Sequence, residues 1–456
     1  MKATSTRLTV GSLREFATIG VVSALSATYG AALVTTSQML STISAHKGGS
    51  AGAALDVVAS VFIMIALFVS AIVITNGVTT VIAGRRNQLR LLRLIGASSA
   101  QLRASLTRAV ALDAAIGAVI GVILGTVGTD ITRIILVHNG TIPGLDYPSF
   151  PPGVIVAGLA VVATAVVAAR VGTRGVLTGM AASPARREIG MVRRVVAAAL
   201  LLAGAGLLTL AALLGERGSL AGFVVAFFGA ATFSVGVLIG APLIVPSLVR
   251  LSGRTLGAGA PSVVARKNAV SDPHRTTRST LGLLIGVTLV TTIATGMAAL
   301  TRSVDSWDLS AANAAATRET LSVITAILIA MVAISVIISA VGFVSTMSLT
   351  VIGRTREIGM LRAMGFTTGQ IRSMIFRESL AMSGTAVAAG LVLGIVFGTV
   401  GSQSLVGALT SGIPLGLPWA ALASIIVGTF ALALVASLPP SRRAVAVTPV
   451  DALAVQ

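Results

Sequence analysis

Apolar stretches of about twenty residues or more recur along the whole chain, each long enough to cross the ~30 Å hydrocarbon core of a bilayer as a helix. Ten are present, at roughly 17–41, 55–82, 109–128, 153–172, 195–215, 220–249, 281–301, 320–352, 379–404 and 418–438. Inside lipid every backbone amide must be satisfied within its own segment, so runs of this length become helices. Hydrophobic residues make up 55% of the chain and charged ones only 10%, too little polar surface for a water-soluble fold. The expected class is an all-α integral membrane protein with ten transmembrane helices and small extracellular loops.

Charge sets the orientation. With the N-terminus in the cytoplasm, every Lys and Arg falls on the cytoplasmic side except Lys47, Arg133, Arg217, Arg302 and Arg318. The positive-inside rule then places both termini in the cytoplasm of a multi-pass protein. The net charge of +19 follows from that topology and gives no reason to expect a nucleic-acid partner. Lys2, Arg7 and Arg14 ahead of the first run resemble a signal peptide, and SATYGAA resembles a cleavage site. The run nevertheless aligns in order with the one that opens the second half, so it is expected to stay as the first span. The Ala-, Gly- and Arg-rich, Lys-poor composition suits a high-GC bacterium, which gives the bacterial cytoplasmic membrane as the expected location.

One basic segment occurs twice. GRRNQLRLLRLIGASSAQLRASLTR, from Gly84 to Arg108, superposes without gaps on GRTREIGMLRAMGFTTGQIRSMIFR, from Gly353 to Arg377, at an offset of 269 residues. Each copy follows one apolar run and precedes another, so two membrane modules present the same segment to the same side. Residues 1–190 hold the first four-span module and 255–456 the second, with linker spans five and six in 191–254. An even number of linker spans keeps the modules parallel.

The repeated segment has the grammar of a rigid elbow. A helical pattern runs to Gly96 or Gly365, where glycine suits the left-handed position that ends a helix. Ser98 followed by Gln101, and Thr367 followed by Gln370, are capping boxes that start a new helix into the next span. Apolar residues of the elbow (Leu91, Leu92 and Ile95; Met360, Leu361 and Met364) suit a partner's groove, and Arg90 and Arg93, or Arg356 and Arg362, suit acids at its rim. The same residues also suit lipid headgroups. A DNA-binding helix-turn-helix is a poor reading, because membrane spans abut both ends.

The remaining residue types narrow the chemistry. Without cysteine there is no thiol catalysis or disulfide, and His46, His138 and His274 are too scattered for a metal cluster. A phosphate-binding loop needs Lys after Gly, and none of Lys2, Lys47 and Lys267 follows a glycine. Acids lie toward span ends and loops; Asp113, the deepest, is expected to pair with a basic residue such as Arg108 rather than to carry protons. The chain is therefore expected to be no enzyme and to hold no cofactor, and a partner must supply the energy for any transport.

TREIGMLRAMGFTTGQIRSMIFRESL, Thr355 to Leu380, resembles the signature cytoplasmic loop of the FtsX/MacB-like (type VII, mechanotransmission) ABC-transporter permeases. The preceding long helix, the four-span unit and the Pro-containing tail ending PVDAL agree with that family. The resemblance covers both modules and implies two FtsX-like repeats, each elbow being a coupling helix for a cytoplasmic ABC ATPase. It implies two ATPase copies per chain, with ATP and Mg bound by that partner. The coupling role carries over to Arg354, Glu357, Leu361, Arg362, Gly365 and Phe366, and by the repeat to Arg85, Leu92, Arg93 and Gly96. The first copy has Gln88 and Ala109 where the second has Glu357 and Glu378, so the two contacts are expected to be unequal.

The stretches Thr42–Ala54 and Arg302–Glu319 are short where many family members carry a large extracytoplasmic domain. The leading expectation is thus the permease subunit of an ABC exporter of an amphipathic or lipophilic compound, such as an antimicrobial peptide, drug or lipid. A regulatory module that moves a membrane or extracellular partner without cargo is the alternative. An ion-coupled transporter is the third. No residue stands out as a substrate contact.

Overall fold

The computed structural model describes residues 13–47, 49–84, 86–140, 142–178, 190–252, 273–307, 355–410 and 416–446, with isolated positions between 259 and 325 and at 412. Arg85, Arg354, most of the expected eighth span and the basic tails at 179–189 and 447–456 lie outside the described residues. The described chain is helical throughout: α1 (Leu13–Lys47), α2 (Gly49–Gly84), α3 (Arg86–Leu94), α4 (Ser99–His138), α5 (Gly153–Thr178), α6 (Met191–Glu216), α7 (Ala221–Ser252), α8 (Pro273–Ser303), α9 (Thr355–Ala363), α10 (Thr368–Val406) and α11 (Trp419–Ala446).

Among these residues eight helices are long and apolar enough to cross a membrane, namely α1, α2, α4, α5, α6, α7, α8 and α10. In α11 the apolar described stretch is the shorter Trp419–Ala431. The molecule is therefore a multi-pass all-α membrane protein. Eight of the ten expected spans are described as such, one is described in part, and the eighth falls outside the description.

Helices α1, α2, α4 and α5 pack together as a four-helix unit. Its inner core runs from Ile19 of α1 through Ile74 and Val78 of α2 to Val110 of α4 and Ala165 of α5, and continues into the elbow at Leu89 and Leu102. Helices α6 and α7 form a hairpin that packs mainly on α10 and α8, and α8, α10 and α11 pack on one another. Small residues set how closely the main pairs approach. A Cβ on Gly121 of α4 would lie 2.0 Å from the Ala24 carbonyl oxygen of α1, and one on Gly394 of α10 would lie 2.8 Å from the Thr288 carbonyl oxygen of α8. Between lipid-embedded helices, where water expulsion no longer drives association, such backbone proximity supplies the packing energy. The pair α1–α4 thus has its counterpart in α8–α10.

At the end of the bundle away from the elbows the connections are short. The turn after α4 folds back on itself: Arg133 donates to the Tyr147 carbonyl at 2.8 Å and pairs with Asp130 at 3.3 Å. The Tyr147 hydroxyl donates to the Pro143 carbonyl at 2.8 Å. Burial pushes the Tyr147 phenol above its ordinary pKa, and the Arg133 guanidinium partly counteracts this.

Candidate functional site

Both repeated segments fold into the expected elbow. In the first, the amides after Leu94 form a Schellman stop: Gly96 N–H donates to the Arg93 carbonyl at 3.1 Å and Ala97 N–H to the Leu92 carbonyl at 3.0 Å. In the second, Gly365 N–H donates to Arg362 at 3.0 Å and Phe366 N–H to Leu361 at 3.0 Å. The two glycines carry φ of 97° and 95°, a backbone that side chains with a Cβ adopt only under strain.

One residue later each chain restarts. Ser98 Oγ accepts from the Gln101 amide at 3.2 Å while Gln101 Oε1 accepts from the Ser98 amide at 3.2 Å. Thr367 Oγ1 accepts from the Gln370 amide at 3.2 Å, and Gln370 Oε1 accepts from the Thr367 amide at 2.9 Å. Both reciprocal boxes are complete. The capped helices then run unbroken into their spans. At 40 residues α4 is roughly 60 Å long, twice the hydrocarbon thickness, so the helix extends beyond the apolar zone.

Each elbow is pinned by one face and open on the other. Leu89 is buried, and Leu92 and Ala97 pack beside Leu102 and Leu106. In the second copy Ile358 is buried, and Leu361 and Phe366 pack on Ile371, Met374 and Ile375. The open face carries Leu91 (64% exposed), Leu94 (83%) and Ile95 (76%) in the first copy, and Met360 (52%) and Met364 (65%) in the second.

The residues singled out in the sequence therefore divide. Arg93, Gly96, Glu357 and Gly365 are exposed; Leu92, Leu361, Arg362 and Phe366 are half-buried; Arg85 and Arg354 lie outside the described residues. Leu92 and Leu361, expected on a docking face, are half-buried, Leu92 packed on the core that holds Leu102 and Leu361 on the one that holds Ile371. Leu94, which the sequence reading missed, is the most exposed of the large apolar residues among those described. Its place one turn after Leu91 and beside Ile95 was the available signal. Among the described residues no cluster of three or more His, Asp or Glu is placed to hold a metal ion.

An all-α membrane protein with paired basic elbows at span ends is thereby defined, and sequence comparison supplies the family. The FtsX-like permease C-terminal family matches residues 60–178 and 329–449, just over half of the chain, each match taking in one elbow. The chain belongs to the FtsX-like permease family, a membrane component related to the FtsX/MacB group of ABC transporters. Over 129 residues it is 33% identical to the macrolide export ATP-binding/permease protein MacB of Nitrobacter winogradskyi, covering 28% of this chain and 19% of that protein. It is 29% identical over 137 residues to an uncharacterized ABC transporter permease of Methanocaldococcus jannaschii, covering 29% and 33%. With the pyoverdine export ATP-binding/permease protein PvdT of Pseudomonas aeruginosa it shares 33% identity over 151 residues, covering 32% and 21%. The similarity thus spans between about a fifth and a third of the length of these relatives.

Proposed function

We propose that this chain is the membrane permease of an ABC exporter and that each elbow seats one copy of a cytoplasmic ATPase. On this reading the chain has ten spans, in two parallel FtsX-like modules (1–190 and 255–456) joined by linker spans in 191–254. Both termini face the cytoplasm of a bacterial cell.

One observation carries the reading. Two capped, glycine-stopped elbows each leave large apolar side chains exposed at the same end of the bundle. The printed names of two relatives, which join ATP binding to a permease, agree with such a partner.

The elbows are built to pass force rather than to bind loosely. A push on α3 reaches α2 and α4 through the shared core that holds Leu89, Val81, Ile82 and Leu102, and a push on α9 reaches α10 through the core that holds Ile358 and Ile371. Leu91, Leu94 and Ile95, or Met360 and Met364, enter the ATPase surface, while Arg93 and Glu357 sit at its rim. Closure of the two ATPases on ATP then moves the spans that follow each elbow and changes access to the opposite end of the bundle. The cargo is an amphipathic or lipophilic compound.

The test is reconstitution with the cognate ATPase in proteoliposomes loaded with candidate peptides, drugs and lipids. Cargo-stimulated ATP hydrolysis and ATP-dependent extraction of at least one compound are expected. Hydrolysis that responds to a partner protein and to no compound would replace export with a regulatory role. Transport that follows a pH gradient and ignores ATP would sink both.

A further inference from the structure

One chemical difference separates the two elbows, and the repeat locates it. At the offset of 269 residues, Leu91 and Ile95 of the first elbow stand where Met360 and Met364 stand in the second. All four side chains are exposed. Leu94, the third large apolar residue of the first elbow, has Ala363 as its counterpart. Among the described residues, Met360 and Met364 are therefore the whole of the large apolar surface that the second elbow exposes. The Met364 amide donates to the Met360 carbonyl at 3.0 Å, so the two side chains leave the backbone one turn apart on one face.

Leucine and isoleucine are inert to mild oxidants, whereas a methionine thioether is converted to the sulfoxide. With hydrogen peroxide the sulfur lone pair attacks one peroxide oxygen and the O–O bond breaks. The departing hydroxide takes the remaining proton and leaves as water, so sulfur is oxidised, the peroxide is reduced and nothing else is consumed. The product is polar and chiral, and it disrupts interfaces that methionine makes. Sulfoxide reductase reverses the step with a dithiol, giving the thioether, water and a disulfide. Exposure decides which methionines react. Met39, Met297, Met374 and Met382 are buried, whereas Met191, at the start of α6, is exposed like the elbow pair. Neither elbow methionine belongs to the core of Ile358, Leu361, Phe366 and Ile371 that pins α9 to α10. Oxidation there changes the surface and leaves the elbow folded.

We propose that Met360 and Met364 are a reversible oxidation site, through which a peroxide releases the ATPase from the second elbow and not from the first. The proposal rests on the reading that each elbow seats an ATPase by its apolar side chains. A sulfoxide carried into that contact is a buried polar group without a partner, and it should weaken docking at the second elbow about ten-fold or more. The first elbow keeps its affinity, because Leu91, Leu94 and Ile95 carry no sulfur. Under oxidant the chain then holds one ATPase where it held two, and closure of the ATPase pair stops.

The test treats the full chain in nanodiscs with hydrogen peroxide while no ATPase is present, removes the peroxide, and only then adds untreated ATPase. The ATPase is supplied at a concentration just sufficient to fill both elbows of the untreated chain. Peptide mass spectrometry should find sulfoxide at Met360, Met364 and Met191, and little at Met374 and Met382. Native mass spectrometry should then give one ATPase per chain in place of two, and sulfoxide reductase should restore the second. Met360→Leu together with Met364→Leu gives the second elbow the chemistry of the first, and should keep two copies after the same treatment. Met191→Leu should behave as the wild type and still lose one.

Sulfoxide at Met360 and Met364 with both ATPases retained overturns the proposal. So does the absence of sulfoxide there under conditions that modify Met191, or loss of a copy from the oxidised double-leucine variant. Should that variant not fold, the reductase arm decides: a second copy that stays lost after both sulfoxides are reduced places the damage elsewhere. Two copies before treatment and two after refute the oxidation site alone. An untreated chain that docks no ATPase refutes the reading on which the site rests.

Discussion

Replacing Gly365 by alanine isolates the energetic basis of the elbow. A Cβ at this position would meet nothing within 4 Å, so sterics with neighbouring residues contribute nothing to the outcome. What remains is the backbone, held at φ 95° so that the Gly365 and Phe366 amides can close on Arg362 and Leu361. Forcing a residue with a Cβ into left-handed geometry costs about 1–2 kcal/mol, whereas asparagine tolerates it better. That is a factor of about 5–30 in a local equilibrium. If the elbow opens locally, hydrogen exchange at the Gly365 and Phe366 amides should accelerate by about that factor in Gly365→Ala, and by less in Gly365→Asn. Amides around Gly390, deep in α10, should not change. The reasoning is refuted if Ala and Asn behave alike, or if neither alters exchange at the stop. Gly96→Ala in the first elbow, also free of neighbours within 4 Å, should repeat the result.

Three further outcomes follow from the geometry. Ser98→Ala or Thr367→Ala removes a complete capping box and should cost about 0.5–2 kcal/mol of local stability, seen as faster exchange at the Gln101 or Gln370 amide. Gly121→Leu, whose Cβ would sit 2.0 Å from a backbone oxygen of α1, should lower the melting temperature in detergent, whereas Gly206→Leu, facing open space, should not; equal effects would mean the close approach is not what holds α1 to α4. Tyr147 titrates above the ordinary phenol value of 10.0 because its ring is buried, and Arg133 opposes that shift. Its contribution to the outer turn is therefore fully present below the unfolded phenol pKa and is lost as pH rises through the folded one. Arg133→Gln should raise the titration further, read by tyrosinate absorbance against a Tyr147→Phe reference; a lowered value would contradict the assignment.

What was legible in the sequence was the local part. Ser98 with Gln101, and Thr367 with Gln370, announce their hydrogen bonds because donor and acceptor stand three residues apart, and Gly96 and Gly365 announce the stop because few other residues tolerate that backbone. Eight of the ten expected spans were legible for a similar reason, since length and apolarity decide them one helix at a time. The direction of a side chain at the elbow was harder. Leu92 looked like Leu91 in the chain, and only the position of α3 against Leu102 turns one inward and the other out. The glycines of α4 and α10 read only as small; the structure shows which backbone each one admits.

The claim that each of the two elbows seats one ATPase is tested most directly by the stoichiometry of the complex. Native mass spectrometry of the chain purified with its ATPase should give two ATPase copies per chain. Leu91→Glu together with Ile95→Glu should reduce this to one, Met360→Glu together with Met364→Glu should do the same, and the combined variant should carry none while remaining folded. Two copies retained in the combined variant, or one copy on the wild type lost only when a single elbow is changed, would contradict the account.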